Sequence, residues 1–154
     1  MELLLWRHCE AEPGEPDLGR ALTGKGEKQA RRMAAWLHAQ LPESARILVS
    51  PARRSQQTAN ALAELAPRRL KTVDALAPGA SVEGVLRAVR WPDGKSVVVV
   101  VGHQPTLGRV ASQLLSGVEA DWPMRKGGVW WFSSRDRDGV EQAVLRAVLS
   151  ADLL

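Results

Sequence analysis

Apolar residues along this chain follow two patterns. Leu3-Leu4-Leu5-Trp6 and Ser96-Val97-Val98-Val99-Val100-Val101 run without polar interruption, as strands buried on both faces do. The valine run is β-branched throughout, which favours strand over helix. Arg46-Ile47-Leu48-Val49-Ser50 reads as a third, shorter strand, and Leu70 to Val73 as a fourth at an edge. Between these runs the apolar residues recur at helical spacing. After Thr23, a good N-cap, they fall at Ala30, Met33, Ala34, Leu37 and Leu41, and Pro42 closes the stretch. After Ser50-Pro51 the set is Thr58, Ala61, Leu62 and Leu65, stopping before Pro67. Val82, Val85, Leu86 and Val89 predict a short third helix ending near Trp91-Pro92. Pro105 opens a fourth, with Leu107, Val110, Ala111, Leu114 and Leu115 inward and Gly117 just past its end.

The tail changes character. Val129 to Ser133 and Val140 to Leu149 flank Arg135-Asp136-Arg137-Asp138-Gly139, and an Asp-Gly between apolar runs signals a hairpin. The whole predicts an α/β fold. A mostly parallel central sheet lies between helical layers as a three-layer α/β/α sandwich, with a C-terminal antiparallel extension. The 154 residues fit one domain, 1–154.

Composition narrows the class. With 45% hydrophobic and 25% charged residues, the chain has the balance of an ordinary folded domain and not of a disordered one. The lone Cys9 excludes an internal disulfide and a cysteine-based zinc site, and a reducing cytoplasm is the expected compartment. The amino-terminal apolar run meets Arg7-His8 too early for a secretion signal. The longest aliphatic run, Val97 to Val101, is far short of the ~20 residues of a membrane span. Net charge is +4, and 16 of the 21 basic residues are arginines spread along the chain without a nucleic-acid motif. Neither nucleic acid nor membrane is therefore expected as a partner. Six tryptophans pose the question of an exposed aromatic patch at Trp130-Trp131 and of self-association, which the sequence leaves open.

Arginine gains meaning from position. Of three histidines, His8 and His103 follow the two most convincing buried strands, as Arg7-His8 and Gly102-His103. His38 lies on the first helix and reads as a surface or boundary residue. In parallel α/β sheets ligands bind at the carboxyl ends of strands, beside a switch in strand order. Arg7 ends a buried strand, where its fixed charge is costly without an anion. Ser50-Pro51-Ala52-Arg53-Arg54 places two more arginines beyond a third strand. Such a set makes an anion pocket, and phosphate suits it. A metal would need a third ligand and would be repelled by the arginines, so no metal or cofactor is predicted. Neither a Gly-x-Ser-x-Gly elbow nor a phosphate-cradling Gly-x-x-x-x-Gly-Lys loop is present. Cys9 lacks the cysteine-phosphatase spacing to an arginine and reads as a small packing residue.

Four separated blocks resemble the histidine phosphatase, or phosphoglycerate mutase-like, superfamily. They are Leu5-Trp6-Arg7-His8, Leu22 to Ala30, Ser50 to Ala59 and Gly102-His103-Gln104-Pro105. The short length and the run from Asp17 through Arg20 to Leu22-Thr23 look most like SixA-type phosphohistidine phosphatases. The resemblance implies the phosphoglycerate mutase-like fold and places roles on residues. His8 falls on the nucleophile, Arg7 and Arg54 on the phosphate-holding arginines, and His103 on the second histidine. Arg20, Thr23 and Ser50 fall on positions that line or brace the pocket. It also implies a phosphorylated protein or small phosphorylated molecule as partner.

Two departures stand out. Cys9 occupies a position where the family usually has glycine, and alanine stands where many relatives carry an acid, in Asp74-Ala75-Leu76-Ala77-Pro78. An alkoxide leaving group needs a delivered proton. An imidazole leaving group, with a reference pKa of ~6.5, needs far less help. The missing acid therefore favours phosphohistidine over a sugar phosphate, with Asp17 as the remaining acid candidate. The expected activity is metal-independent hydrolysis of protein-borne phosphohistidine through a covalent intermediate on His8. The alternatives are a small-molecule phosphomonoesterase or mutase, and a phosphate-binding module without catalysis.

Overall fold

The computed structural model describes residues 1–154. Six strands, β1 (Glu2–Arg7), β2 (Arg46–Val49), β3 (Leu70–Thr72), β4 (Val97–Gly102), β5 (Val129–Arg137) and β6 (Val140–Leu149), form one sheet in the order β3-β2-β4-β1-β5-β6. The first four of that order run parallel; β5 and β6 pair antiparallel to their neighbours. Helices α1 (Gly24–Gln40) and α2 (Arg53–Ala63) cover one face, and α3 (Val82–Val89) and α4 (Thr106–Ser116) the other. This is the α/β/α sandwich with an antiparallel extension that the patterning predicts.

The two uninterrupted strands explain the layering. In β1, Leu4 and Trp6 point toward Met33, Leu37 and Leu62, while Leu3 and Leu5 point toward Val85, Leu107 and Val110. In β4, Val99 and Val101 take the first side and Val98 and Val100 the second. A side-chain period of two, apolar at every position, thus feeds both cores from one strand. Thr23 caps α1 by accepting from the Gly26 N–H at 2.9 Å, and Gly117 ends α4 in the left-handed conformation. Asp138 and Gly139 both take positive φ, as a two-residue hairpin turn requires.

Some expectations shift. The second helix ends at Ala63, so Leu65 lies beyond it and is exposed instead of joining the apolar stripe. The edge strand expected over Leu70 to Val73 is β3 and stops at Thr72. No aromatic patch forms at Trp130-Trp131. Trp131 is buried, its indole N–H donates to Glu2 Oε2, and the Arg146 guanidinium lies 4.6 Å over its ring. Trp130 packs between Trp122 and Phe132. His38 is exposed, as its place on α1 suggested. No helix is long and apolar enough to cross a membrane.

Close approach fixes Gly26. A Cβ at Gly26 would stand 2.0 Å from the Glu10 carbonyl oxygen, which Thr23 N–H holds in place. Gly26→Ala is therefore expected to lower stability by about 1–3 kcal/mol or more. A shift in the urea unfolding midpoint measures it, and an unchanged midpoint would contradict the packing described.

Candidate active site

Strand order brings distant residues together. Because β4 lies between β2 and β1, the carboxyl ends of all three strands are neighbours. The pairing is level there: Arg7 faces Gly102, and Val49 and Trp6 both face Val101. His8 N–H extends the ladder to Gly102 O, and Ser50 N–H does the same to Val101 O. His8, Ser50 and His103 consequently leave the sheet side by side. The His8 and His103 rings lie 5.1 Å apart, both buried.

Each ring is oriented by its partners. His8 Nδ1 lies 2.8 Å from the Cys9 carbonyl, which can only accept, so Nδ1 carries the proton. Nε2 is left with a lone pair and no protein partner. At His103 the proton sits on the other nitrogen. Arg54 Nη2 can only donate, so His103 Nδ1, 3.4 Å away, accepts. Nε2 then carries the proton and donates to Ser50 Oγ at 2.7 Å, with Ser55 Oγ at 3.4 Å. Ser50 Oγ also accepts from Ala52 N–H.

Arginines surround the rings. Arg54 is buried, 5% exposed, whereas its neighbour Arg53 points to solvent. Arg7 donates from Nη1 to the Met124 carbonyl at 2.6 Å, and its buried Nε has no partner. Burial pushes the Arg7 pKa down from its usual value. A desolvated guanidinium with unspent donors is a receptor for an oxyanion. The amino end of α4 begins three residues after His103 and adds its positive dipole end.

Arg20 and Asp17 close one side. Arg20 donates to Asp17 Oδ1 at 3.0 Å and to the Glu12 carbonyl; Arg54 donates to Asp17 Oδ2 at 3.1 Å and to its backbone carbonyl at 2.8 Å. Hydrogen bonds from Arg20 and then Arg54 hold the Asp17 carboxyl below the usual carboxylate range. That arrangement opposes the proton-donor role considered for Asp17 from sequence, because a general acid must hold its proton near neutral pH. Thr23 braces the site from outside: its hydroxyl caps α1 and donates to Glu10 Oε2. Sequence reasoning missed Ser55, Thr58 and the Met124 carbonyl. The first two lie in the recognised Ser50–Ala59 block on the Arg54 side of α2; a backbone carbonyl leaves no sequence signal. Cys9 is fully buried, and burial raises its thiol to about 12, which makes it inert packing.

Burial, followed by the Arg54 and Arg7 charges, pushes His8 down to about 4; burial and then the charge of His8 push His103 to about 3. Both rings are neutral at pH 7. The folded values lie below the unfolded imidazole value, so acid favours the unfolded chain. Stability is untouched by this pair above pH ~6.5 and falls as pH drops toward the folded values. At pH 5 the loss is about 2 kcal/mol per histidine. Urea midpoints between pH 7 and 5 read this out, and His8→Asn with His103→Asn is expected to flatten the slope.

Comparison with known proteins agrees with this geometry. Residues 3–77 match the family model for the histidine phosphatase superfamily, branch 1. The phosphohistidine phosphatase SixA of Escherichia coli is 31% identical over 123 residues, covering 76% of each chain. An uncharacterised Picosynechococcus protein is 37% identical over 126 residues, covering 76% of this chain and 74% of its own. A solved structure of SixA complexed with tungstate superposes with a TM-score of 0.83 at 26% identity, covering 99% of both chains. The chain is a phosphatase and belongs to the histidine phosphatase superfamily, SixA type.

Proposed function

We propose that the protein hydrolyses phosphohistidine carried on a partner protein, without a metal, through a phosphorylated His8. The observation that carries this reading is the pair of imidazoles 5.1 Å apart, one with a free Nε2 lone pair, beside the buried Arg54 and the half-buried Arg7. A neutral imidazole is a competent nucleophile near pH 7. The substrate ring first takes a proton from water on its unphosphorylated nitrogen; His8 Nε2 then attacks phosphorus while the bond from phosphorus to the substrate nitrogen breaks, and that nitrogen keeps the electron pair so that the imidazole leaves neutral. Arg7 and Arg54 take the phosphoryl oxygens, Arg54 exchanging its Asp17 contact for them. The arriving negative charge raises the proton affinity of His103; with Arg54 turned to the phosphoryl oxygens, His103 Nδ1 takes up a proton from water and donates it in a hydrogen bond to the same group. Water attacks the phosphorylated His8, the phosphorus–Nε2 bond breaks, and inorganic phosphate departs.

Asp17 is ion-paired with two arginines, and alanine stands in Asp74-Ala75-Leu76-Ala77-Pro78 where many relatives of the resembled family carry an acid. That deficit favours a nitrogen leaving group over an alkoxide. The name of the Escherichia coli relative points the same way. The test compares rates on a phosphohistidine peptide, an aryl phosphate and sugar phosphates, all with EDTA present. Turnover of phosphohistidine well above the sugar phosphates, undiminished by EDTA, is expected. Equal or faster sugar phosphate hydrolysis would favour the small-molecule reading, and phosphate binding without turnover of any substrate would favour a binding module.

A further inference from the structure

We infer that Thr58 is a positioning residue that couples the nucleophile to the phosphate-holding arginine. It is fully buried on α2, and its hydroxyl serves both sides of the pocket. The hydroxyl donates to the Arg54 carbonyl at 2.7 Å, one turn earlier on the same helix. Its oxygen accepts from the Cys9 N–H at 3.1 Å, across 49 residues of sequence. The other end of Cys9 carries the carbonyl that receives His8 Nδ1–H. A continuous chain of donors and acceptors therefore runs from the backbone of Arg54, through one hydroxyl and the Cys9 residue, to the ring of His8.

A buried threonine in a helix commonly bonds the carbonyl four residues back simply to satisfy itself. Here the same oxygen takes a second, long-range bond from the loop after β1. Without it the Cys9 N–H is a buried donor with no partner, and the Cys9 peptide, held on either side at His8 and Glu10, loses the bond that fixes its own tilt. This bears on Cys9 itself, whose side chain stands where the family usually has none. The Thr58 bond pins the backbone there. Both consequences fall on His8: the direction of the Nε2 lone pair and the preference for Nδ1–H. Displacement of a nucleophile by about 1 Å costs on the order of 100-fold in rate.

The inference rests on His8 as the nucleophile, and the experiment keeps the two questions apart. Thr58→Val keeps the shape and removes the hydroxyl; Thr58→Ser keeps the hydroxyl. On an aryl phosphate, T58V is expected to lose about 10- to 100-fold in kcat with KM changed less than ~3-fold, and T58S to stay within ~3-fold of the parent. If T58V does not fold, Thr58→Ala carries the same expectation. A second readout needs no turnover: nitrogen NMR of His8 in the folded variants. The parent and T58S are expected to hold one Nδ1–H tautomer, and T58V or T58A a mixture. Parent-like kcat in T58V, a loss that serine fails to rescue, or an unchanged His8 tautomer would each overturn the inference. Failure of the parent to form a phosphorylated His8 would instead overturn the nucleophile assignment and leave the tautomer result to judge Thr58.

Discussion

His8→Ala is expected to reduce kcat on phosphohistidine peptide and on aryl phosphate by at least about 10³-fold. The expectation follows from the division of labour at the strand ends. His8 Nε2 is the imidazole nitrogen that the protein leaves unbonded, while the Cys9 carbonyl fixes the proton on the opposite side of the ring. Removing it deletes the atom that forms the covalent bond. The arginines remain, so phosphate or tungstate binding is expected to survive within about tenfold, because oxyanion affinity lies in charge and hydrogen bonds. The phosphorylated enzyme, trapped by acid-free quenching after brief exposure to labelled substrate, is expected in the parent and absent in His8→Ala. A variant with full activity, or with a labelled intermediate on another residue, ends the assignment. His103→Ala separates the two imidazoles: it keeps the nucleophile, so a slowly formed intermediate remains detectable.

The layers of the fold are legible because burial on both faces demands an unbroken apolar run, and both central strands show one. The hairpin is legible because its turn needs residues tolerant of positive φ, and Asp138-Gly139 supplies them. The strand order is not. Nothing in Val97 to Val101 says that β4 inserts between β1 and β2, yet that insertion brings Ser50, His8 and His103 within reach of one another. The histidines and arginines could be placed at strand ends from patterning and resemblance. Their tautomers could not, since these depend on a backbone carbonyl at Cys9 and on a guanidinium arriving from α2. Asp17 shows the limit most plainly. As one carboxylate in an acidic loop it reads as a possible proton donor. Only the geometry reveals that two arginines claim both of its oxygens.

Arg54 and Arg53 are adjacent in sequence and opposite in consequence. Arg54 begins the inner face of α2, is 5% exposed and reaches His103 Nδ1 and Asp17; Arg53 points to solvent and forms no ion pair. Arg54→Ala is expected to lower kcat/KM by about 10²- to 10³-fold, the scale of a missing charge donor to a transferring phosphoryl group. Arg53→Ala is expected to stay within about threefold, since an exposed unpaired cation is well screened. Arg54→Lys tests geometry against charge. Lysine keeps the charge but cannot present two parallel N–H donors to the phosphoryl oxygens, so recovery is expected to be partial. Unfolding midpoints for all three variants guard against a folding defect. If Arg53→Ala proves the more damaging of the two alanine variants while both remain folded, the register of α2 against the pocket is wrong, and with it the placement of the arginine that receives the phosphoryl group.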